Sequence, residues 1–112
     1  MDAPGKLQPI SRRLEAAEWR PTEHQGINYS VLRLNEQGGG TVFLKFDADT
    51  HGKAHTHPAG EELLVLSGSI TIGGTKLGPG DYLYTPPDGV HDAIAHETTV
   101  MLLSAPKPPV FL

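Results

Sequence analysis

Glycine and proline punctuation sets the tightest limit on how this chain can fold. Thirteen glycines and ten prolines occur in 112 residues. They fall between short apolar runs rather than in one tract, which breaks up helices and supplies turns for many strands. From Ile27 onward the runs Asn28–Asn35, Thr41–Asp47, Ala54–His57, Glu61–Ser67, Ser69–Gly73, Asp81–Thr85, His91–His96 and Thr98–Ser104 are rich in Val, Ile, Leu, Tyr and Thr. They predict seven or eight strands of an all-β domain. Gly38-Gly39-Gly40, Gly73-Gly74 and Gly78-Pro79-Gly80-Asp81 supply hairpin or loop turns, at the spacing of roughly ten residues expected of a sandwich or small barrel. No internal repeat is present.

The β domain is expected over residues 27–104. Residues 1–26 read as an N-terminal arm, in which Ser11 to Arg20 predicts a short helix capped by Ser11 and stopped by Pro21. Residues 105–112 read as an extended tail laid over an apolar groove of its own barrel or a partner's. At 12.0 kDa there is room for one domain with one core.

The formal net charge of -4, with no basic cluster larger than Arg12-Arg13, lacks the footprint needed for nucleic acid or an anionic membrane. Without cysteine there is no disulfide framework, thiolate zinc finger or CxxC redox motif. The N-terminal residues are polar and no apolar run approaches a signal or membrane segment, so a cytoplasmic location is the expectation.

Chemistry concentrates in His55, His57, Glu61 and His91. His55 and His57 are two residues apart, and alternate side chains of a strand leave the same face, so both rings can meet one ion. Glu61 follows the turn Pro58-Ala59-Gly60, and His91 arrives from a separate hairpin. Three imidazoles and a carboxylate, with no thiolate, suit Fe(II), Mn(II), Ni(II), Cu(II) or Zn(II). The isolated pair His55 and His57 would by itself be two polar residues on a strand; its ordered company with Glu61 and His91 gives it meaning.

Leu63-Leu64-Val65-Leu66 is a continuous apolar run, as on a central strand covered on both faces. If Glu61 and His91 point inward, then so do Leu63, Val65, Ala93 and Ala95, which are expected to line the pocket. The opposite parity turns Leu64, Leu66 and Ile94 outward, and that apolar surface predicts a homodimer with two-fold symmetry. His24, His51 and His96 lack ligand spacing and read as surface or loop residues, with His51 near the pocket rim. Trp19 reads as a core or lid anchor, and Tyr82 and Tyr84 as packing on one strand face.

From His55 to Gly68 the sequence resembles the first cupin motif, His-x-His, three residues, Glu, six residues, Gly. Gly80, Pro86 and His91 resemble the second motif in their separations. Within that superfamily the stretch His55-Thr-His57-Pro-Ala-Gly-Glu61-Glu-Leu-Leu-Val-Leu66 is similar to the small ChrR-like cupins, a group that includes acetylacetone-cleaving dioxygenase and half of an anti-sigma factor. The resemblance covers about residues 27 to 104 and implies a double-stranded β-helix barrel of jelly-roll type. It also implies one divalent ion, Fe(II) or Mn(II) in preference to Zn, Ni or Cu, ligated by His55, His57, Glu61 and His91. The chain departs from the pattern at Asp49, where a glycine is usual, at Gly89, where the second-motif glycine is displaced from position 88, and at Ala95, where an asparagine is expected.

A metal-dependent dioxygenase would use such an ion to stabilise the enolate of a β-diketone, a 2-oxo acid or a similar small molecule. The four ligands would then be the catalytic residues, with Glu62 or His51 as possible helpers and Glu62 as a substitute for Glu61. A non-catalytic metal- or ligand-binding module is the alternative. A sugar isomerase or epimerase ranks third, because Leu63, Val65, Ala93 and Ala95 offer few hydroxyl partners.

Overall fold

The computed structural model describes residues 8–108 and 110–111, with the side chains of residues 54, 55, 110 and 111 outside that description. Among the described residues the chain forms a single 3-10 turn, Leu14–Ala16, and eleven strands. These are β1 Arg20–Pro21, β2 Ile27–Leu34, β3 Gly40–Phe46, β4 His51–Thr56, β5 Glu61–Ser67, β6 Ile70–Ile72, β7 Thr75–Leu77, β8 Tyr82–Thr85, β9 Val90–Ala95, β10 Thr99–Ala105 and β11 Val110–Phe111. All eight strands expected from the runs after Ile27 are present.

They form two antiparallel sheets, one in the order β1-β2-β3-β10-β5-β8 and the other β11-β4-β9-β6-β7. This is the two-layer jelly roll that the cupin resemblance implied, built as two separate sheets. Alternation decides which residues enter the space between the layers. On β5 the buried positions are Glu61, Leu63 and Val65, and on β9 they are Ala93 and Ala95. Register sets Met101 of β10 opposite both Leu44 of β3 and Val65 of β5. Ile70, Met101 and Val65 are almost wholly removed from water. Each such side chain contributes about 2 kcal/mol of hydrophobic driving force.

Four expectations need correction. The helix over Ser11 to Arg20 is only the 3-10 turn, flanked by extended Arg13 and Ala17 and without a side-chain cap. None of its residues is buried, so no apolar face is available to stabilise so short a helix. Strand β5 is not central: it lies between β10 and the edge strand β8, and the outward Leu64 and Leu66 are half-buried.

Trp19 is no core anchor. It is half-buried and stacks on Lys45, whose Nζ lies 4.3 Å from the ring centroid, and Lys45 alternates with the core residue Phe46. The arm is thus fastened outside the sheet, with Arg12 Nε also donating to the Leu32 carbonyl at 3.3 Å. Tyr82 and Tyr84 are more than half exposed, because the residue between them, Leu83, is the one that packs on the core. The Tyr82 hydroxyl instead donates to Glu62 Oε2 at 2.7 Å.

Three short strands went unforeseen, β1, β7 and β11. Of the tail, Val110 and Phe111 pair with Thr56 and His55 of β4; residues 109 and 112 lie outside the described residues.

Candidate metal centre

The site is assembled by two turns and the strands they release. After β4 the chain turns through His57-Pro58-Ala59-Gly60, where the Gly60 amide donates to the His57 carbonyl at 3.0 Å. Gly60 has φ +80, and a Cβ there would lie 2.9 Å from the Thr85 carbonyl oxygen, so this turn requires glycine. Glu61 then opens β5 directly opposite Thr85 of β8. In the second turn the Gly89 amide donates to the Pro86 carbonyl at 3.0 Å, and the Asp88 amide reaches the same His57 carbonyl at 3.0 Å. One carbonyl therefore ties the two turns together. His91 follows on β9, in register with His55 on β4.

His57, Glu61 and His91 converge. His57 Nε2 lies 2.9 Å from Glu61 Oε2, and His91 Nε2 lies 3.2 Å from Glu61 Oε1. One ligand atom from each falls within 4.8 Å of the others. The side chains are 3, 2 and 8% exposed for His57, Glu61 and His91. The two rings meet edge to face with centroids 5.7 Å apart.

Burial raises the Glu61 carboxyl, but hydrogen bonding and charge from His57 and His91 outweigh it, bringing the pKa down to about 2. Buried carboxylate oxygens normally have a donor or a cation. Two imidazoles and a carboxylate, shielded from water with one ligand atom of each within 4.8 Å of the others, fit a divalent ion of borderline to hard character. Outside this triangle, Thr85 Oγ1 lies 3.2 Å from His91 Nδ1, a contact that the sequence did not announce.

The remaining predicted residues are placed as follows. The backbone of His55 sits opposite His91, while its side chain lies outside the described residues. Glu62 alternates away from Glu61 onto the outer face, bonded to Tyr82, and so cannot stand in for Glu61. His51 is exposed and pairs with Asp92 Oδ2 at 3.2 Å.

Leu63, Val65, Ala93 and Ala95 point inward but are packed into the core with Phe46 and Ile70. Alternation gives direction but not depth, and these positions lie further along the strands than the row holding Glu61 and His91. A surface depression of about 540 Å³ beside His91 is lined instead by His51, Gly52, Lys53, Gly73, Val90 and Asp92.

Comparison with known proteins agrees with this architecture. The family model for the ChrR Cupin-like domain matches residues 7–108. Comparison with the curated proteins gives no match. Among solved structures, a candidate acetylacetone dioxygenase from Methylibium petroleiphilum superposes with a TM-score of 0.84 at 18% identity, covering 95% of this chain and 82% of that one. An acetylacetone dioxygenase from Acinetobacter johnsonii gives 0.79 at 14% identity, with 94% and 77% covered. The complex of Rhodobacter sphaeroides SigE with the anti-sigma ChrR gives 0.73 at 23% identity, covering 84% of this chain and 52% of that one. At such identities the likeness is one of fold.

Proposed function

Because the chain belongs to the ChrR Cupin-like domain family, we propose that it is a metal-dependent dioxygenase acting on a small enolisable substrate such as a β-diketone or 2-oxo acid. His55, His57, Glu61 and His91 hold one divalent ion in this reading, Fe(II) or Mn(II) in preference to Zn, Ni or Cu. The observation that carries it is the buried triangle of His57, Glu61 and His91. Likeness in fold to two structures described as acetylacetone dioxygenases, one of them a candidate, supports the choice of chemistry.

A bound ion of this class supplies Lewis-acid stabilisation of an enolate and a route for dioxygen. The protein fixes the ligand atoms in advance and keeps the carboxylate of Glu61 ionised. It also excludes bulk water from all three side chains, which strengthens every charge interaction there. The reading further includes a homodimer in the cytoplasm with no nucleic-acid partner, supported by the outward Leu64 and by the absence of a large basic cluster.

The test begins with elemental analysis of untagged protein purified without added metal. Oxygen-electrode assays of the Fe(II)-reconstituted protein with acetylacetone and other small diketones follow. We expect about one ion per chain, substrate-dependent oxygen uptake, and loss of both in H57A. Full metal loading without uptake for any diketone or 2-oxo acid would favour the second reading, a non-catalytic metal- or ligand-binding module, which the likeness to the SigE–ChrR complex supports. Stoichiometric metal that persists in H57A would mean that the ligands are misassigned.

A further inference from the structure

We propose that Thr85 is a positioning residue of the metal centre: its hydroxyl holds the His91 ring with Nε2 toward Glu61, and Gly89 exists as glycine to keep Thr85 in that rotamer. The proposal rests on the reading of His57, Glu61 and His91 as ligands.

Three observations carry it. First, Thr85 Oγ1 lies 3.2 Å from His91 Nδ1 while Nε2 of the same ring lies 3.2 Å from Glu61 Oε1, so the ring bridges the hydroxyl and the carboxylate. An imidazole that gives its Nε2 lone pair to an ion carries its proton on Nδ1, and that proton needs an acceptor. Thr85 Oγ1 is in place to be it. Second, Thr85 is buried at 8% exposure and its backbone is in register with Glu61, so one residue is coupled to two of the ligands.

Third, the Thr85 side chain is clamped. A Cβ at position 89 would lie 2.8 Å from Thr85 Cγ2. The backbone at Gly89 is outside the left-handed region, so glycine is demanded there by space rather than by conformation. A β-branched side chain has few rotamers, and turning the methyl away from an intruding Cβ also moves Oγ1 away from His91. This gives a physical reason for the displaced second-motif glycine: the turn needs a bare Cα where the Thr85 methyl rests.

Co(II) is the probe, because its visible absorption reports how many ligands surround it. We expect T85V, which keeps the shape and removes the acceptor, to bind Co(II) about 10- to 100-fold more weakly than wild type. T85S should bind like wild type. G89A should weaken binding as T85V does, and by clearly less in the T85S background, where no methyl opposes the new Cβ and only the 3.1 Å approach to the Pro86 carbonyl oxygen is left; that non-additivity is the signature of a shared contact.

Nitrogen-15 NMR of the Zn(II)-loaded protein gives a second readout: with Nε2 on the ion, the Nδ1 proton of His91 should exchange slowly in wild type and T85S and fast in T85V. Thermal unfolding of each metal-free variant identifies a merely structural loss, and binding lost only in proportion to unfolding would count against the proposal. T85V matching wild type in both affinity and exchange of the His91 Nδ1 proton overturns the role of Thr85 and leaves the metal reading standing. Wild-type protein that takes up no Co(II) removes the metal reading and the role of Thr85 at it together.

Discussion

Glu61 is where sequence and environment pull hardest against each other, a carboxylate buried between two imidazoles. Its pKa of about 2 lies below the ordinary 4.5. A depressed carboxyl contributes stability that is fully present above pH 4.5 and lost as the pH falls through 2. In metal-free protein that contribution is on the order of 3 kcal/mol. We therefore expect urea-unfolding stability to drop more steeply between pH 4.5 and 2 in wild type than in E61Q. Parallel pH curves for the two proteins would show that His57 and His91 do not hold the carboxyl down. At this scale much was legible, since spacing and the cupin-like motif singled out His55, His57, Glu61 and His91, of which the last three converge and the side chain of the first lies outside the described residues. Thr85 was not, because its claim rests on a contact with His91 that becomes visible only once β8 and β9 are placed in space.

Strands and turns follow the sequence where one residue type answers one local demand, and depart from it where a neighbour decides. Gly68, at the end of β5, combines both: φ is +94, and a Cβ would come within 2.4 Å of the Thr98 carbonyl oxygen. Gly74, in the β6–β7 turn, has φ +84 but open space around it. Left-handed backbone in a non-glycine residue costs about 1–2 kcal/mol. G74A should therefore lose about 1 kcal/mol in equilibrium urea unfolding, and G68A at least about 3 kcal/mol, since its contact is with backbone that cannot step aside. Co(II) affinity should be unchanged in G68A, because Gly68 lies at the opposite end of β5 from Glu61.

Equal losses in the two variants would mean that the Thr98 contact relaxes freely. That Gly68 matters was readable from its place in the cupin-like motif; that Thr98 is the reason was not. The same division explains the unfulfilled helix before Pro21, whose local signals were sound but whose turn at Leu14–Ala16 found no apolar surface to cover. It also explains β11, which is a strand because β4 offers it an edge.

Across the whole molecule, the outward residues do not form the single patch that the sequence suggested. Leu64 and Leu66 lie on the six-stranded sheet, whereas Ile94 lies on the five-stranded one. Register adds partners to Leu64 that parity along one strand could not reveal: Leu102 on one side and Tyr82 on the other. Tyr84 extends the exposed aromatic surface along β8. The arm is fastened over β2 and β3 through Arg12 and Trp19, at the other end of the same sheet.

A face joining half-buried leucines to exposed tyrosines has the composition of an interface core, and a stable pair of subunits buries about 800 Å² on each. The homodimer reading therefore belongs to the β10-β5-β8 face. Sedimentation velocity at micromolar concentration should show a dimer in wild type and in I94E, and a monomer in L64E. A charge at position 64 would face its own copy across the two-fold axis and be stripped of water there, whereas position 94 would stay wet. A wild-type monomer removes the dimer; a dimer that dissociates in I94E and survives in L64E moves it to the other sheet.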